Sequence, residues 1–148
     1  MVKRLFGLAM AILGGLPSTG APAHTTRRLP REPPAVLAAA APVFPGMAFS
    51  AGLGGDVTVE AHLDASGAVW YAQASGPRLM KDACEVAARR WRFSPDKDGV
   101  ETRTVQLTFT FTRLKTTLPE ENMTPVFYPP YRVEVMHNPK VMYVSRDS

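Results

Sequence analysis

Residues 57–95 read VTVEAHLDASGAVWYAQASGPRLMKDACEVAARRWRFSP, and this stretch decides the fold. From Val57 the pattern alternates. Val57, Val59, Ala61 and Leu63 fall on one side, and Thr58, Glu60, His62 and Asp64 on the other. A period of two is that of a strand with one buried and one wet face. Asp64-Ala65-Ser66-Gly67 is a turn signal, with Gly67 free to take a positive φ. A second strand follows over about residues 68–74, so the two form a hairpin of antiparallel neighbours. The period then changes. Ser75 or Gly76 serves as a helix N-cap and Pro77 suits the first turn. Leu79, Ala83, Val86, Ala87 and Trp91 recur at helical spacing and are predicted to face the core. Lys81, Glu85 and Arg89 lie four apart on the opposite side, where their charges pair. Arg89, Arg90 and Arg92 complement the dipole at the helix end, and Ser94-Pro95 stops the helix.

Downstream, Asp96-Lys97-Asp98-Gly99 is a polar turn, and residues 102–113 are the clearest strand in the chain. Val105, Leu107, Phe109 and Phe111 alternate there with Gln106, Thr108, Thr110 and Thr112. Upstream, the glycine cluster at 52–55 opens the first strand, and Pro42-Val43-Phe44-Pro45 is held extended by its prolines. Residues 35–41 are Ala-rich, enough for one or two helical turns. The expected fold is α+β, a small antiparallel sheet (strand-strand-helix-strand, order 2-1-3) with one helix packed on one face. The helix returns the chain over the sheet, so a right-handed crossover sets the third strand beside the first. That third strand lies at an edge with its outward backbone groups unpaired. Beyond Lys115 the chain reads as a loop to residue 130. Residues 131–136 and 140–144 then form a hairpin about Asn138-Pro139.

The whole chain has 148 residues, with 17 Lys+Arg against 13 Asp+Glu. A single cysteine excludes an internal disulfide and any Cys-based zinc cluster. Residues 1–23 read as a secretory signal. Lys3 and Arg4 form its basic start, residues 5–16 its apolar core, and Ala21-Pro22-Ala23 its cleavage pattern. The apolar core reaches roughly 18 Å as a helix, short of a bilayer of about 30 Å. The destination is outside the cytoplasm, with an uncleaved signal tethering the protein to the membrane as the alternative. Removing Lys3 and Arg4 leaves 15 basic against 13 acidic residues, a balance of +2 that gives no case for nucleic acid. The domains are thus a signal (1–23), a Pro/Arg/Ala-rich leader (24–41), a globular domain (42–113) and a C-terminal extension (114–148).

Residues 42–113 resemble the C-terminal domain of the TonB energy-transducer family. The resemblance is carried by Gly55-x-Val57-x-Val59, Leu63-Asp64-x-x-Gly67-x-Val69 and Ser75-Gly76-x-x-Leu79. Ala83 and Ala87, Arg90-Trp91-Arg92-Phe93-x-Pro95 and Phe109-x-Phe111 complete it. Pro42-Val43-Phe44-Pro45 looks like the family's Pro-x-aromatic-Pro entrance. The resemblance implies a Gram-negative periplasmic domain that binds a short extended segment of an outer-membrane receptor as an added strand. Such binding draws affinity from main-chain hydrogen bonds and specificity from side-chain pockets. The implied contact residues are Val105, Gln106, Leu107, Thr108, Phe109, Thr110, Phe111, Thr112 and Arg113 of the edge strand. Pro42, Phe44 and Pro45 are expected beside them. Ala41 stands where well-studied transducers carry a glutamine, and the extension after 114 has no counterpart.

Other residues have plainer readings. Trp91 and Phe93 are core, worth several kcal/mol at about 25 cal/mol per Å² buried. Glu60, His62 and Asp64 share one strand face and read as solvated polar residues rather than a metal or acid-base site. Cys84, inside the helix, reads as a half-buried structural thiol. Residues 127–131 are a linker that docks on the domain. No catalytic constellation, cofactor motif or small-molecule site is visible. The expected function is a protein-binding module accessory to TonB-dependent transport. Its partner is an outer-membrane receptor segment or another envelope protein. The alternative is a structural or assembly protein that uses the same edge for self-association, as a homodimer.

Overall fold

A computed structural model describes residues 14, 15, 20, 31–99 and 102–139. The signal segment and residues 140–144 lie outside them, apart from three glycines of the former. From Glu32 onward the chain forms one compact unit.

The hairpin reading holds. Strand β2 (Gly55–Leu63) pairs antiparallel with β3 (Val69–Ser75). Its turn explains the DASG sequence. Asp64 accepts the Ser66 hydroxyl at 2.6 Å and the N–H groups of Ser66 and Ala68 at 2.9 and 3.0 Å. The Ser66 hydroxyl, followed by the backbone donors, holds the Asp64 carboxyl below its usual range. Gly67 sits at φ +87°, where a Cβ would lie 2.0 Å from the Phe93 carbonyl oxygen. The same glycine's carbonyl accepts the Phe93 N–H at 2.9 Å. Only glycine satisfies both constraints.

Helix α2 (Arg78–Arg89) lies on the sheet, but its buried face differs from the expected one. Met80, Cys84, Ala87 and Ala88 are buried, while Leu79 and Val86 are 39% and 54% exposed. The helix carries apolar residues on two adjoining stripes, so periodicity leaves its rotation open. Glu85, expected on the solvent side, resolves it by accepting the Ala74 N–H of β3 at 3.0 Å. The small Cys84, Ala87 and Ala88 then let the helix approach the strands closely. The helix ends before Trp91. A short strand, β4 (Arg92–Phe93), pairs with β1 (Val36–Ala38), which overturns the helical reading of residues 35–41. Prolines on both sides leave that segment too short for a helix, and three bonds hold it extended. Ala35 N–H reaches Ser94 Oγ at 3.0 Å, Ser94 N–H returns to Ala35 O at 2.8 Å, and the Trp91 indole donates to Ala40 O at 2.8 Å. A five-residue helix, α1 (Gly46–Ser50), follows Pro45 and buries Ala48. The sequence reading missed it.

Strand β5 (Arg103–Arg113) pairs antiparallel with β2 through nine registered residues, giving the expected order β3-β2-β5. Beyond it the expectation fails. The sheet has five strands and is mixed, in order β3-β2-β5-β7-β6. The extension supplies β6 (Val126–Tyr128) and β7 (Arg132–His137), and β7 runs parallel to β5. The tail hairpin therefore turns at Pro129-Pro130, one element earlier than expected, with β6 drawn from the segment read as loop. It is anchored by its aromatics. Phe127 meets Trp91 at 5.9 Å, Tyr131 meets Phe93 at 5.9 Å, and the Tyr131 hydroxyl donates to Pro34 O at 2.7 Å. Trp91 and Phe93 are fully buried, their rings 5.9 Å apart, and Trp91 also meets Phe109 of β5 at 6.2 Å.

Candidate functional site

Apolar side chains on the inner side of β5 fix its position. Val105, Leu107, Phe109 and Phe111 are buried; the Phe109 ring meets Trp91 at 6.2 Å and the Phe111 ring meets Phe44 at 5.2 Å. This leaves the strand's backbone on the side away from β2 as the place where another strand adds. Thr108 N–H points to that side, donating to Tyr131 O at 2.9 Å. Backbone groups alternate along a strand, so Thr104 and Gln106 face the same way.

The structure divides the candidate edge in two. Along 108–113 it is occupied: Thr108, Phe109, Thr110, Phe111, Thr112 and Arg113 register against residues 132–137 of β7. The expectation of an unpaired edge along this half is thus corrected. The reason is the alternation of Val133, Val135 and His137, which buries three residues beside Phe109 and Phe111. Along 103–107 no strand pairs on that side among the described residues. Val105, Gln106 and Leu107 therefore keep an open lane.

Side chains tie β7 down on the polar face. Thr112 donates to Glu134 at 2.6 Å, and the Tyr128 hydroxyl donates to the other oxygen of Glu134 at 3.1 Å. That carboxylate pushes the Tyr128 phenol above its usual range. Arg132 donates to Thr110 Oγ1 at 3.1 Å, and Thr110 donates to Asp56 at 2.7 Å. Burial raises the Tyr131 phenol, with Arg103 opposing. The sequence reading missed this ladder, although Arg132, Glu134 and Met136 alternating with Val133 and Val135 were its signal.

Phe44 lies at the occupied end, whereas Pro42 and Pro45 border α2. Pro42 is buried. The Phe44 ring contacts Phe111 at 5.2 Å, Phe49 at 6.2 Å and His137 at 4.2 Å. The structure therefore brings Phe44 to β5, but to its closed half. His137 Nδ1–H donates to Asn138 O at 2.9 Å, and its Nε2 is buried without a hydrogen-bond partner.

The other polar residues do not converge. Glu60 and His62 contact each other at 2.8 Å, while Asp64 is committed to its turn. No group of three or more His, Cys, Asp or Glu able to hold a metal occurs among the described residues. Cys84 is fully buried rather than half-buried, and burial, helped by Glu85, pushes its thiol up to about 12. No helix among the described residues is long and apolar enough to cross a membrane.

Comparison of the sequence with curated proteins gave no match. Residues 40–112 match the family model described as Gram-negative bacterial TonB protein C-terminal. The match takes in the leader's last residues, both helices and β2 to β5, and stops before β6 and β7. Residues 40–112 of this chain are a TonB C-terminal domain.

Proposed function

We propose that this domain is a partner-binding module of the Gram-negative envelope, serving TonB-like outer-membrane transport from the periplasmic side. It recognises an extended segment of an outer-membrane receptor or another envelope protein by adding it as a strand to β5. One observation carries the reading: β5 already takes a parallel strand along 108–113, from a segment outside the family match, while 103–107 stays open. A guest enters at the open lane beside Gln106 and extends along β5 as β7 withdraws. Main-chain hydrogen bonds supply the affinity. Val105, Gln106, Leu107, Thr108, Phe109, Thr110, Phe111, Thr112 and Arg113 form the pairing strand. Phe44, against Phe111, closes its far end, and Pro42 and Pro45 hold the Phe44 segment extended.

The test uses the exported chain and synthetic peptides copied from periplasmic segments of outer-membrane receptors of the same bacterium. Gln106→Pro places a ring and no donor on the open lane, away from β2. Peptide binding by the wild type and its loss in Gln106→Pro is the expected result. Equal binding by both proteins refutes strand addition at β5, and a concentration-dependent dimer without peptide affinity points to self-assembly instead. N-terminal sequencing of the mature protein tests export, with a start near His24 expected.

A further inference from the structure

Helix α2 carries a second apolar stripe that the sheet does not use. Leu79, Ala83 and Val86 follow one another at steps of four and three residues on its outer side. Across from them, Val43 and Met47 are 80% and 72% exposed. The segment from Pro42 to Met47 and the helix enclose two hollows in line. One, of about 210 Å³, is lined by Pro42, Val43, Asp82, Ala83, Val86 and Arg90. The other, of about 520 Å³, is lined by Met47, Arg78, Leu79, Lys81 and Asp82. They share Asp82. An exposed apolar stripe with a polar rim marks an interaction site.

We infer that this groove docks an acidic amphipathic helix of a partner protein. Spacing sets the shape of the occupant. Leu79 and Val86 are seven residues apart, roughly 10.5 Å along the axis, which matches side chains at i and i+7 of an incoming helix. Charge sets its sign, since Arg78, Lys81 and Arg90 stand round the hollows against a single Asp82. Glutamates flanking the apolar stripe complement those three cations. A second copy of this chain fits poorly. An antiparallel contact of α2 with itself brings Asp82 against Asp82, and four large anchors fall far short of the roughly 20–30 residues per side of a stable interface. A bilayer fits poorly too, because the surface is concave and carries an anion at its centre. The groove is separate from the β5 edge, so the two sites are tested independently.

The probes are two synthetic helices with leucines at i, i+4 and i+7, one flanked by glutamates and one by lysines. Each is titrated into the ¹⁵N-labelled mature chain. The glutamate helix is expected to shift the amides of Val43, Met47, Leu79 and Val86. It is expected to bind roughly tenfold more tightly than the lysine helix, from three exposed ion pairs. Val86→Glu, at an exposed position, reduces that binding at least tenfold, and Gln106→Pro leaves it intact. Equal binding of the two helices, shifts confined to β5, no shifts at all, self-association through α2, or preference for anionic phospholipid vesicles each overturns the inference.

Discussion

Truncating Val133 to alanine tests whether β7 leaves β5 as a unit. Val133 is 3% exposed, opposite Phe109 in the parallel register. The substitution removes two buried methyl groups, about 1.6 kcal/mol at 0.8 kcal/mol each, and the remaining cavity brings the loss to about 2 kcal/mol. If β7 opens by itself, the open state gains weight by roughly thirtyfold, and the apparent affinity of a strand-adding peptide rises by up to the same factor. Peptide anisotropy measures the affinity. Amide exchange measures the opening, because Thr108, Thr110, Thr112 and Leu114 share the side on which Thr108 and Leu114 donate to Tyr131 and His137. In the wild type these amides should exchange faster than those of Val59 and Ala61 in β2, and Val133→Ala should speed them roughly thirtyfold. If the wild-type amides at 108, 110 and 112 are as slow as those of β2, β7 departs only with global unfolding. The reasoning is then refuted, as it is if peptide affinity stays flat or falls.

Other expectations follow from single contacts. Gly67→Ala should lower stability by at least about 3 kcal/mol, since backbone strain at φ +87° adds to a Cβ placed on the Phe93 carbonyl; chemical denaturation measures it. Cys84 should resist alkylation at pH 8 in the native protein and react on unfolding, because a thiol at about 12 holds roughly one thiolate in ten thousand there; reaction of the folded chain at the rate of a free thiol would contradict its burial. Asp64 has a folded value below its ordinary 3.8, so its contribution is complete above that value and is lost as pH falls through the folded one. The stability gap between wild type and Asp64→Asn should therefore shrink in acid, and a gap that widens on acidification would reverse the sign.

Alternation made β2, β3 and β5 legible, and the turn chemistry of Asp64 and Gly67 fixed the hairpin register. Their order could be reasoned from connection rules, because those strands share one buried face. Helix α2 was legible as a helix but not in its rotation. Two apolar stripes fitted the period equally, and the deciding bond, Glu85 to the Ala74 N–H, is a long-range contact without a sequence pattern. The strand pairs of β1 with β4 and of β7 with β5 are likewise long-range, and short segments give little periodicity to read. The Pro-rich run before Tyr131 looked like a break in structure, yet it forms the turn that sends β7 back along β5. For the same reason β5 was identifiable as a strand from its threonine–phenylalanine alternation, while its second neighbour, β7, was not, and the strand expected at the edge lies inside the sheet.

The ladder between β1 and β4 has only two registered pairs, against nine between β2 and β5. Opening that end of the chain also means releasing the Tyr131 bond to Pro34, the Ala35–Ser94 pair and the indole bond at Ala40. Few rungs part before many, so β1 is expected to separate from β4 well before β2 separates from β5.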